Sequence, residues 1–451
     1  MNKLFGTDGV RGEAGEVLTP QLAYRLGFAA AYVLQKQAKQ TKENCFVIGM
    51  DTRISGDMLQ SALVSGICAA GADAYCAGVI PTPAVAVLTK KKNALAGVVI
   101  SASHNPYYDN GIKFFNADGR KLPDAIEDEI AQCMEKIDSL PKAARENIGR
   151  VYEYEKAKEI YQEFIKEKTP ARFEGLKVVV DCANGAASMV APEILESLGA
   201  EVMVINNIPN GININAQCGS THPQSLQEKV VESGADVGLA YDGDADRLQA
   251  VDHTGRLIDG DQLLCIFAVY LKAAERLKND TVVGTIMSNM GLEKSLAPFG
   301  IKTAKSKVGD RYVVEMMEKE NAILGGEQSG HIVFWEYNTT GDGILSSVKL
   351  LEIIALSKRS LEDLANLMEK YPQVLINVPV KNKVGWERDI RITLTIKKLE
   401  EKLGENGRIL VRASGTENLL RVMVEGKDER VITEIAQRIA QAIDEALNEK
   451  E

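Results

Sequence analysis

Gly97-Val98-Val99-Ile100-Ser101-Ala102-Ser103-His104-Asn105-Pro106 is the stretch on which the fold turns. Four residues without a polar side chain make a buried strand, and the chain then becomes polar at once. Pro106 has no N–H to give a ladder, so the chain must turn here. A run that is apolar on both faces suits a sheet covered by helices on both sides. In open α/β sheets, ligands bind at such strand ends. A hydroxyl presented there can act as a nucleophile or a phosphate carrier, and Ser103 is the candidate. A polar turn with a capping Ser is the plainer alternative; a Ser–His hydrolase is a second, but no Gly-x-Ser-x-Gly elbow occurs. On an extended segment, adjacent side chains also point to opposite faces. That would place His104 badly for taking the Ser103 proton, so His104 is expected to orient the loop.

The same alternation continues outward. Apolar runs fall at Phe46–Met50, Lys177–Asp181, Val202–Ile205, Val237–Tyr241, Thr281–Ile286 and Ala322–Leu324. Helical patterns lie between them, at Gly56–Ala70, Ala187–Leu198, Gln262–Leu277 and Asp310–Glu320. This order predicts an α/β architecture. The last stretch differs: a strand near Val374–Val380, a helix near Glu387–Leu403, strands at Arg408–Val411 and Leu420–Val424, and a helix from Glu429. That is α+β. Seams near Asn147–Tyr154, His253–Arg256 and Lys370–Gln373 divide the chain into expected domains 1–153, 154–254, 255–369 and 370–451. The similar size of the first three hints at an old triplication.

A second strand, Val237–Tyr241, runs into Asp242-Gly243-Asp244-Ala245-Asp246-Arg247. Carboxylates two residues apart converge on a curling segment and diverge on a helix. Gly243 and Ala245 leave room for the curl. Three such groups repel unless a cation sits among them, and oxygen ligands select a hard ion, magnesium or calcium. An EF-hand is excluded, because Arg247 stands where the loop needs Gly and His253 where it needs Glu. Magnesium commonly takes a phosphate oxygen as well, which a phosphorylated Ser103 would supply.

Other strand ends carry complementary donors. In Gly325–His331, Glu327 and Ser329 can bond sugar hydroxyls, and His331 can exchange a proton. Arg412-Ala413-Ser414-Gly415-Thr416-Glu417, with Arg421 nearby, gathers two guanidinium groups, two hydroxyls and glycine-freed N–H groups suited to a phosphate dianion. Phe5–Gly12 carries Arg11, and Asp109–Lys113 places Asn110 and Lys113 just past the serine turn; Lys113 is either surface charge or a stabiliser of a transferring phosphoryl group. Lys307 and Arg311 are expected at a helix N-terminus, an anion-friendly position. Ser55, before the helix that starts at Gly56, reads as its N-cap.

These motifs, in this order, resemble the α-D-phosphohexomutase superfamily over essentially the whole chain. Phe5–Gly12, the loop containing Gln328 and the segment Lys307–Arg311 look like its branch acting on glucosamine phosphates. Phosphomannomutase/phosphoglucomutase relatives, the alternative, tend to carry Met where Gln328 stands. Asn418 departs from the Pro found in many relatives after the Thr-Glu pair. The resemblance implies four domains around a central cleft, one loop from each. It implies reversible conversion of glucosamine 6-phosphate to glucosamine 1-phosphate through a phosphoserine at Ser103 and a glucosamine 1,6-bisphosphate intermediate, on the route to UDP-N-acetylglucosamine and peptidoglycan precursors. One Mg2+ would sit on Asp242, Asp244 and Asp246 beside the Ser103 phosphate. Glu327 and Ser329 would hold the sugar, and Lys307 and Arg311 would also bind the substrate. Arg412, Ser414, Gly415, Thr416 and Arg421 would grip the non-reacting phosphate. Arg11, Lys113 and His331 would serve the chemistry, with the acid–base roles of Lys113 and His331 left open, and His104, Asn110 and Arg247 would support them. Turning of the bisphosphate would open the fourth domain at the Lys370–Gln373 seam.

Bulk properties set the bounds. A length of 451 residues suggests about two to four domains, and a hydrophobic fraction of 45% provides large cores. With 53 Lys and Arg against 63 Asp and Glu, the net charge of −10 offers no general field for nucleic acid or anionic lipid. Seven cysteines without a Cys-x-x-Cys spacing argue against a disulfide framework or a zinc site. No signal-like segment or run of about 20 apolar residues is present, so a cytoplasmic location is expected. The expected partner is a small phosphosugar, with no nucleic acid and no membrane; a homodimer is expected only by family analogy. A magnesium-dependent phosphatase and a phosphosugar-binding regulator are the rivals from other classes. The joint presence of the serine and the aspartates counts against the regulator.

Overall fold

The computed structural model describes residues 4–6, 8–37, 42–414 and 418–448. Gly415 and Thr416, expected in the phosphate loop, lie outside the described residues. The strands, in chain order, are β1 (Val10–Glu13), β2 (Glu43–Met50), β3 (Asp73–Val79), β4 (Ala94–Ile100), β5 (Asp109–Asn116) and β6 (Val151–Glu153), then β7 (Lys177–Asp181), β8 (Glu201–Ile205), β9 (Val237–Tyr241), β10 (Leu248–Asp252) and β11 (Leu257–Ile258). They continue with β12 (Thr281–Thr285), β13 (Lys302–Ser306), β14 (Leu324–Gly326) and β15 (Ile332–Phe334), and end with β16 (Gln373–Pro379), β17 (Gly407–Ala413) and β18 (Leu419–Gly426).

They form four sheets, ordered β1-β5-β4-β2-β3-β6, β11-β10-β9-β7-β8, β13-β12-β14-β15 and β16-β18-β17. The first three pair in parallel on one side and antiparallel on the other, and the fourth is antiparallel throughout. The fold is therefore α/β with a final α+β part, as the alternation predicts. Every residue of β4, β9 and β12 is buried, which is why these strands carry no charge and read as largely apolar runs. In the first sheet, Phe46, Ile48, Val98 and Ile100 share a core with Leu26, Leu59, Leu63 and Ile67 from the covering helices.

One device recurs. The Ser103 loop joins β4 to β5, the aspartate loop joins β9 to β10, and the Glu327 loop joins β14 to β15. Each time the loop links a strand that has a parallel neighbour to an antiparallel one. The functional loops thus leave the C-terminal ends of interior strands, where the ladder supplies no further partners.

Contacts divide the chain into two compact units, Met1–Ser288 with Pro298–Leu367, and Asn289–Ala297 with Met368–Glu451. The first holds all three α/β sheets. The second packs β16–β18 against the helices Ile390–Leu403 and Glu429–Leu447 through Val422, Val424, Ile432, Ile435 and Ile439. Among the described residues, no helix is long and apolar enough to cross a membrane.

Some expected elements shift for local reasons. The helix expected over Ala187–Leu198 is a 3-10 turn, Ala186–Met189, followed by the α-helix Ala191–Ser197. Val190 breaks it with φ −139°, and Pro192 then sits in the first turn, where its missing N–H costs no bond. The strand expected at Ala322–Leu324 is displaced to Leu324–Gly326. Ser55 precedes the helix Gly56–Ala69, but its side chain does not cap it; its hydroxyl accepts from Asn110 Nδ2 at 2.8 Å.

Asp342 caps the helix Gly343–Ser357, accepting from Leu345 N at 2.9 Å and from Tyr161 Oη at 2.8 Å. Burial pushes its carboxyl up to about 6, against the pull of those hydrogen bonds. Because the folded value lies above the usual one of 3.8, the folded protein keeps a proton that the unfolded chain has lost. This contribution is full below about pH 4 and lost as pH rises through about 6. The melting temperature of Asp342→Asn, relative to wild type, is therefore expected to rise across that window, by the equivalent of roughly 1–3 kcal/mol. A flat difference between pH 4 and pH 7 would contradict the assignment.

Candidate active site

Ser103 has φ +52°, a left-handed conformation unusual for a residue with a side chain. The turn buries its hydroxyl and aims it across the first unit, where Oγ donates to Asp242 Oδ2 at 2.6 Å. It also corrects the expectation for His104. A left-handed residue breaks strand alternation, so His104 Nδ1 lies 3.4 Å from Ser103 Oγ rather than on the opposite face. Burial, with Arg247 and Arg11 nearby, pushes the His104 imidazole down to about 4, so it is neutral at neutral pH.

Asp242, Asp244 and Asp246 each offer a carboxylate oxygen, all within 4.8 Å of one another. Ala245, at φ +59°, supplies the curl. Backbone donors from three separate segments fix the loop's carbonyls: Ala186 N to Gly243, Thr82 N to Asp244 and Gly343 N to Ala245. Burial and the charges of Asp246 and Asp244 hold the Asp242 carboxyl well above the usual range. Burial acts the same way on Asp246, but His331, Lys113 and Arg247 outweigh it and hold that group down. Asp244 Oδ1 and Asp246 Oδ1 are buried without a hydrogen-bond partner among the described residues. A hard divalent cation fits this donor set: oxygen ligands only, concentrated negative charge and two lone oxygens.

The sheet register assembles the surrounding cations. Arg11 on β1 pairs with Gly111 on β5, and Lys113 on β5 pairs with Val99 on β4. Lys113 Nζ lies 3.0 Å from Asp244 Oδ2 and 3.1 Å from Asp8 Oδ2. Burial favours its neutral form, but Asp244 and Asp8 prevail and hold it as an ammonium. That state suits charge stabilisation, not proton acceptance. Asp8 also pairs with Arg11 and Lys121, and Lys121 pairs with Asp310. Asp8, Lys121 and Asp310 were not singled out from the sequence, because only their long-range pairing gives them a role.

His331 accepts from Gly341 N at Nε2, 3.1 Å, and turns Nδ1 toward Asp246 Oδ2 at 3.4 Å. The Gly341 bond requires a bare Nε2, so the ring proton sits on Nδ1. Burial opposes a second proton, while Asp246, Asp310 and Glu327 together raise the affinity for one. Taking it at Nε2 breaks the Gly341 bond. Glu327 Oε1 accepts from Gly309 N at 2.9 Å, and Ser329 Oγ has no hydrogen-bond partner among the described residues. Arg247 donates its backbone N–H to Asp242 Oδ1 at 3.2 Å and brings Nε to 3.7 Å from Asp246. Lys307 Nζ lies 5.7 Å from the Tyr312 ring centroid. Arg311, in the first turn of the helix Asp310–Glu320, is engaged by Asp124, Glu127 and the Leu122 carbonyl.

In the C-terminal unit, Arg412 on β17 stands directly opposite Arg421 on β18. Like charges facing across a ladder are destabilising, and burial together with Arg421 lowers the proton affinity of Arg412. Such a pair suits an anion. Ser414 is buried beside it, with its carbonyl accepting from Lys383 Nζ at 2.7 Å.

Four family models match the chain: phosphoglucomutase/phosphomannomutase alpha/beta/alpha domain I over residues 2–141, domain II over 159–255, domain III over 259–371, and the C-terminal domain over 375–442. The chain is 52% identical to the phosphoglucosamine mutase of Desulforamulus reducens, covering 98% of this chain and 99% of that one. It is 53% identical to the phosphoglucosamine mutase of Carboxydothermus hydrogenoformans, over 98% and 100%. Among solved structures, a phosphoglucomutase/phosphomannomutase family protein from Burkholderia thailandensis shares the fold, with a TM-score of 0.83 and 24% identity over 99% of this chain and 98% of that one.

Two outcomes test the geometry. A Cβ on Gly243 would lie 2.6 Å from the Ser103 carbonyl oxygen and 2.8 Å from Asn215 Nδ2. Gly243→Ala is therefore expected to wedge the serine and aspartate loops apart and to destabilise by about 1–3 kcal/mol in denaturant titration. A neutral substitution would mean that the loops do not meet. Separately, Mg2+ added to chelator-treated protein at about 100 times its dissociation constant should stabilise by about 2.7 kcal/mol. The gain should vanish in Asp244→Asn, and a melting curve indifferent to Mg2+ would count against the cation site.

Proposed function

Because this chain belongs to the phosphoglucosamine mutase family, within the phosphoglucomutase/phosphomannomutase proteins, we propose that it is a mutase interconverting glucosamine 6-phosphate and glucosamine 1-phosphate. The observation that carries the proposal is the 2.6 Å bond between Ser103 Oγ and Asp242, beside two further buried carboxylates. A phosphatase needs only to expose a phosphoenzyme to water. Here both the hydroxyl and the carboxylates are buried, which favours transfer to a bound sugar over hydrolysis.

The working enzyme carries a phosphoryl group on Ser103. The bond from phosphorus to Ser103 Oγ breaks as a bond to the free sugar hydroxyl forms. The proton of the sugar hydroxyl passes, through an acid–base group, to Ser103 Oγ, which leaves as a hydroxyl. Glucosamine 1,6-bisphosphate results; after it turns over, the other phosphate returns a phosphoryl group to Ser103. Asp242, Asp244 and Asp246 would hold Mg2+, which when bound offsets negative charge on the phosphoryl oxygens. Lys113 and Arg11 add fixed positive charge beside them. His331 is the acid–base group its surroundings favour, with Nδ1 held toward Asp246 and Nε2 able to take a proton once it releases the Gly341 N–H. Glu327 and Ser329 are assigned to the sugar, and Lys307 and Arg311 to the anionic part of the substrate. Arg412, Ser414, Gly415, Thr416 and Arg421 are assigned to the non-reacting phosphate on donor chemistry. The product would feed the formation of UDP-N-acetylglucosamine for cell-wall precursors in the cytoplasm.

The test is Ser103→Ala in a coupled assay for glucosamine 1-phosphate, alongside phosphosite mass spectrometry of the wild type. Activity at background with an unchanged melting temperature, and phosphate on Ser103 of the wild type, are expected. Normal turnover by the variant would overturn the proposal.

A further inference from the structure

Asp51-Thr52-Arg53 follows β2, and nothing in the reaction uses it directly. Arg53 is only 3% exposed, so it cannot reach a substrate. Its guanidinium nevertheless has all five N–H donors engaged. Nε donates to Asp51 Oδ2 at 2.9 Å. Nη2 donates to the carbonyls of Ser103 at 2.9 Å and Asn105 at 2.8 Å. Nη1 donates to the carbonyl of Asp109 at 3.0 Å and to that of Pro106. Four carbonyls of the serine loop thus converge on one buried cation. A second route runs through Asp51, whose Oδ2 accepts from Ser101 Oγ at 2.6 Å, while Ser101 Oγ accepts from Ser103 N at 2.9 Å. Both polar groups of the Ser103 backbone are held from the Arg53–Asp51 pair.

The same segment is anchored on the neighbouring sheet's loops. Thr52 Oγ1 donates to the Asn184 carbonyl at 2.6 Å, and Ile54 N donates to the Gly211 carbonyl at 2.9 Å. Residues 51–54 therefore bridge the loop that carries the hydroxyl and the part of the chain that carries the aspartates. A left-handed, side-chain-bearing residue such as Ser103 persists only where its surroundings over-determine it. Arg53 provides that constraint.

We infer that Arg53 is the positioning residue of the phosphoryl-carrying serine: it locks the 103–109 loop in the turn that aims Oγ at Asp242, and so sets the rate of transfer without touching the sugar. Arginine is required because only its planar fork presents five donors; lysine has three, from a single point. The inference rests on Ser103 as the phosphoryl carrier, which Ser103→Ala tests independently.

The experiment measures kcat, KM for glucosamine 6-phosphate and melting temperature for full-length, phosphorylated Arg53→Lys and Ser101→Ala. Misplacement of the reacting hydroxyl by about 1 Å should lower kcat by about 100-fold in Arg53→Lys and about 10-fold in Ser101→Ala, with KM within about threefold of wild type. A merely structural role would lower the melting temperature yet leave kcat per folded molecule unchanged, and that result overturns the inference. If Arg53→Lys does not fold, Ser101→Ala decides alone, and a wild-type kcat there is equally fatal. Activity retained in Ser103→Ala would instead remove the premise, a result distinguishable from a normal Arg53→Lys beside an inactive Ser103→Ala.

Discussion

Three carboxylates held out of water at one strand end, facing a buried hydroxyl from another sheet, form the constraint on which the first unit depends. Their oxygens lie within 4.8 Å of one another. At such spacing, and an effective dielectric constant of about 20, each ionised pair repels by roughly 3–4 kcal/mol. The protein offsets this from several directions. Lys113 approaches Asp244, His331 faces Asp246, and Arg247 lies near both Asp242 and Asp246. Among the described residues two oxygens have no hydrogen-bond partner, so the compensation is incomplete in a manner that a divalent cation completes. The arrangement is poor for stability alone and coherent for binding negatively charged phosphoryl groups around a cation.

Such a convergence demands accurate placement of loops from different sheets, and the repeated topology supplies it. Each loop leaves an interior strand and returns along an antiparallel neighbour, so both of its ends are pinned by ladder bonds. The loops then brace one another. Asn215 Nδ2 donates to the Ser103 carbonyl at 2.9 Å, Arg247 and His331 form a backbone bridge, and Thr82 donates to Asp244 Oδ2 at 2.7 Å. Gly243, which sits beneath the Ser103 carbonyl, leaves the space this requires.

Much of this was legible in the sequence because strand-end chemistry is local. The apolar runs at Lys177–Asp181 and Val237–Tyr241 coincide with strands β7 and β9, and the aspartates two residues apart converge as their spacing suggested. What escaped was of two kinds. Backbone handedness is not encoded by residue type at Ser103, so the placement of His104 was read from strand alternation that the turn abolishes. Long-range pairing was equally hidden. Asp8 acquires its role from Lys113 and Lys121, more than 100 positions away, and Arg53 acquires its own from carbonyls about 50 positions along the chain. Residue type alone does not tell which distant partners such buried charges meet; the folded chain does.

In the proposed reaction Ser103 passes its phosphoryl group to a sugar instead of to water. Its most direct test is single-turnover transfer from enzyme carrying a radiolabelled phosphoryl group on Ser103 to unlabelled glucosamine 6-phosphate, with products separated at successive times. The label is expected to leave the protein for the sugar bisphosphate first and then to appear in glucosamine monophosphate. Label released chiefly as inorganic phosphate, or retained on the protein while product forms, would contradict it.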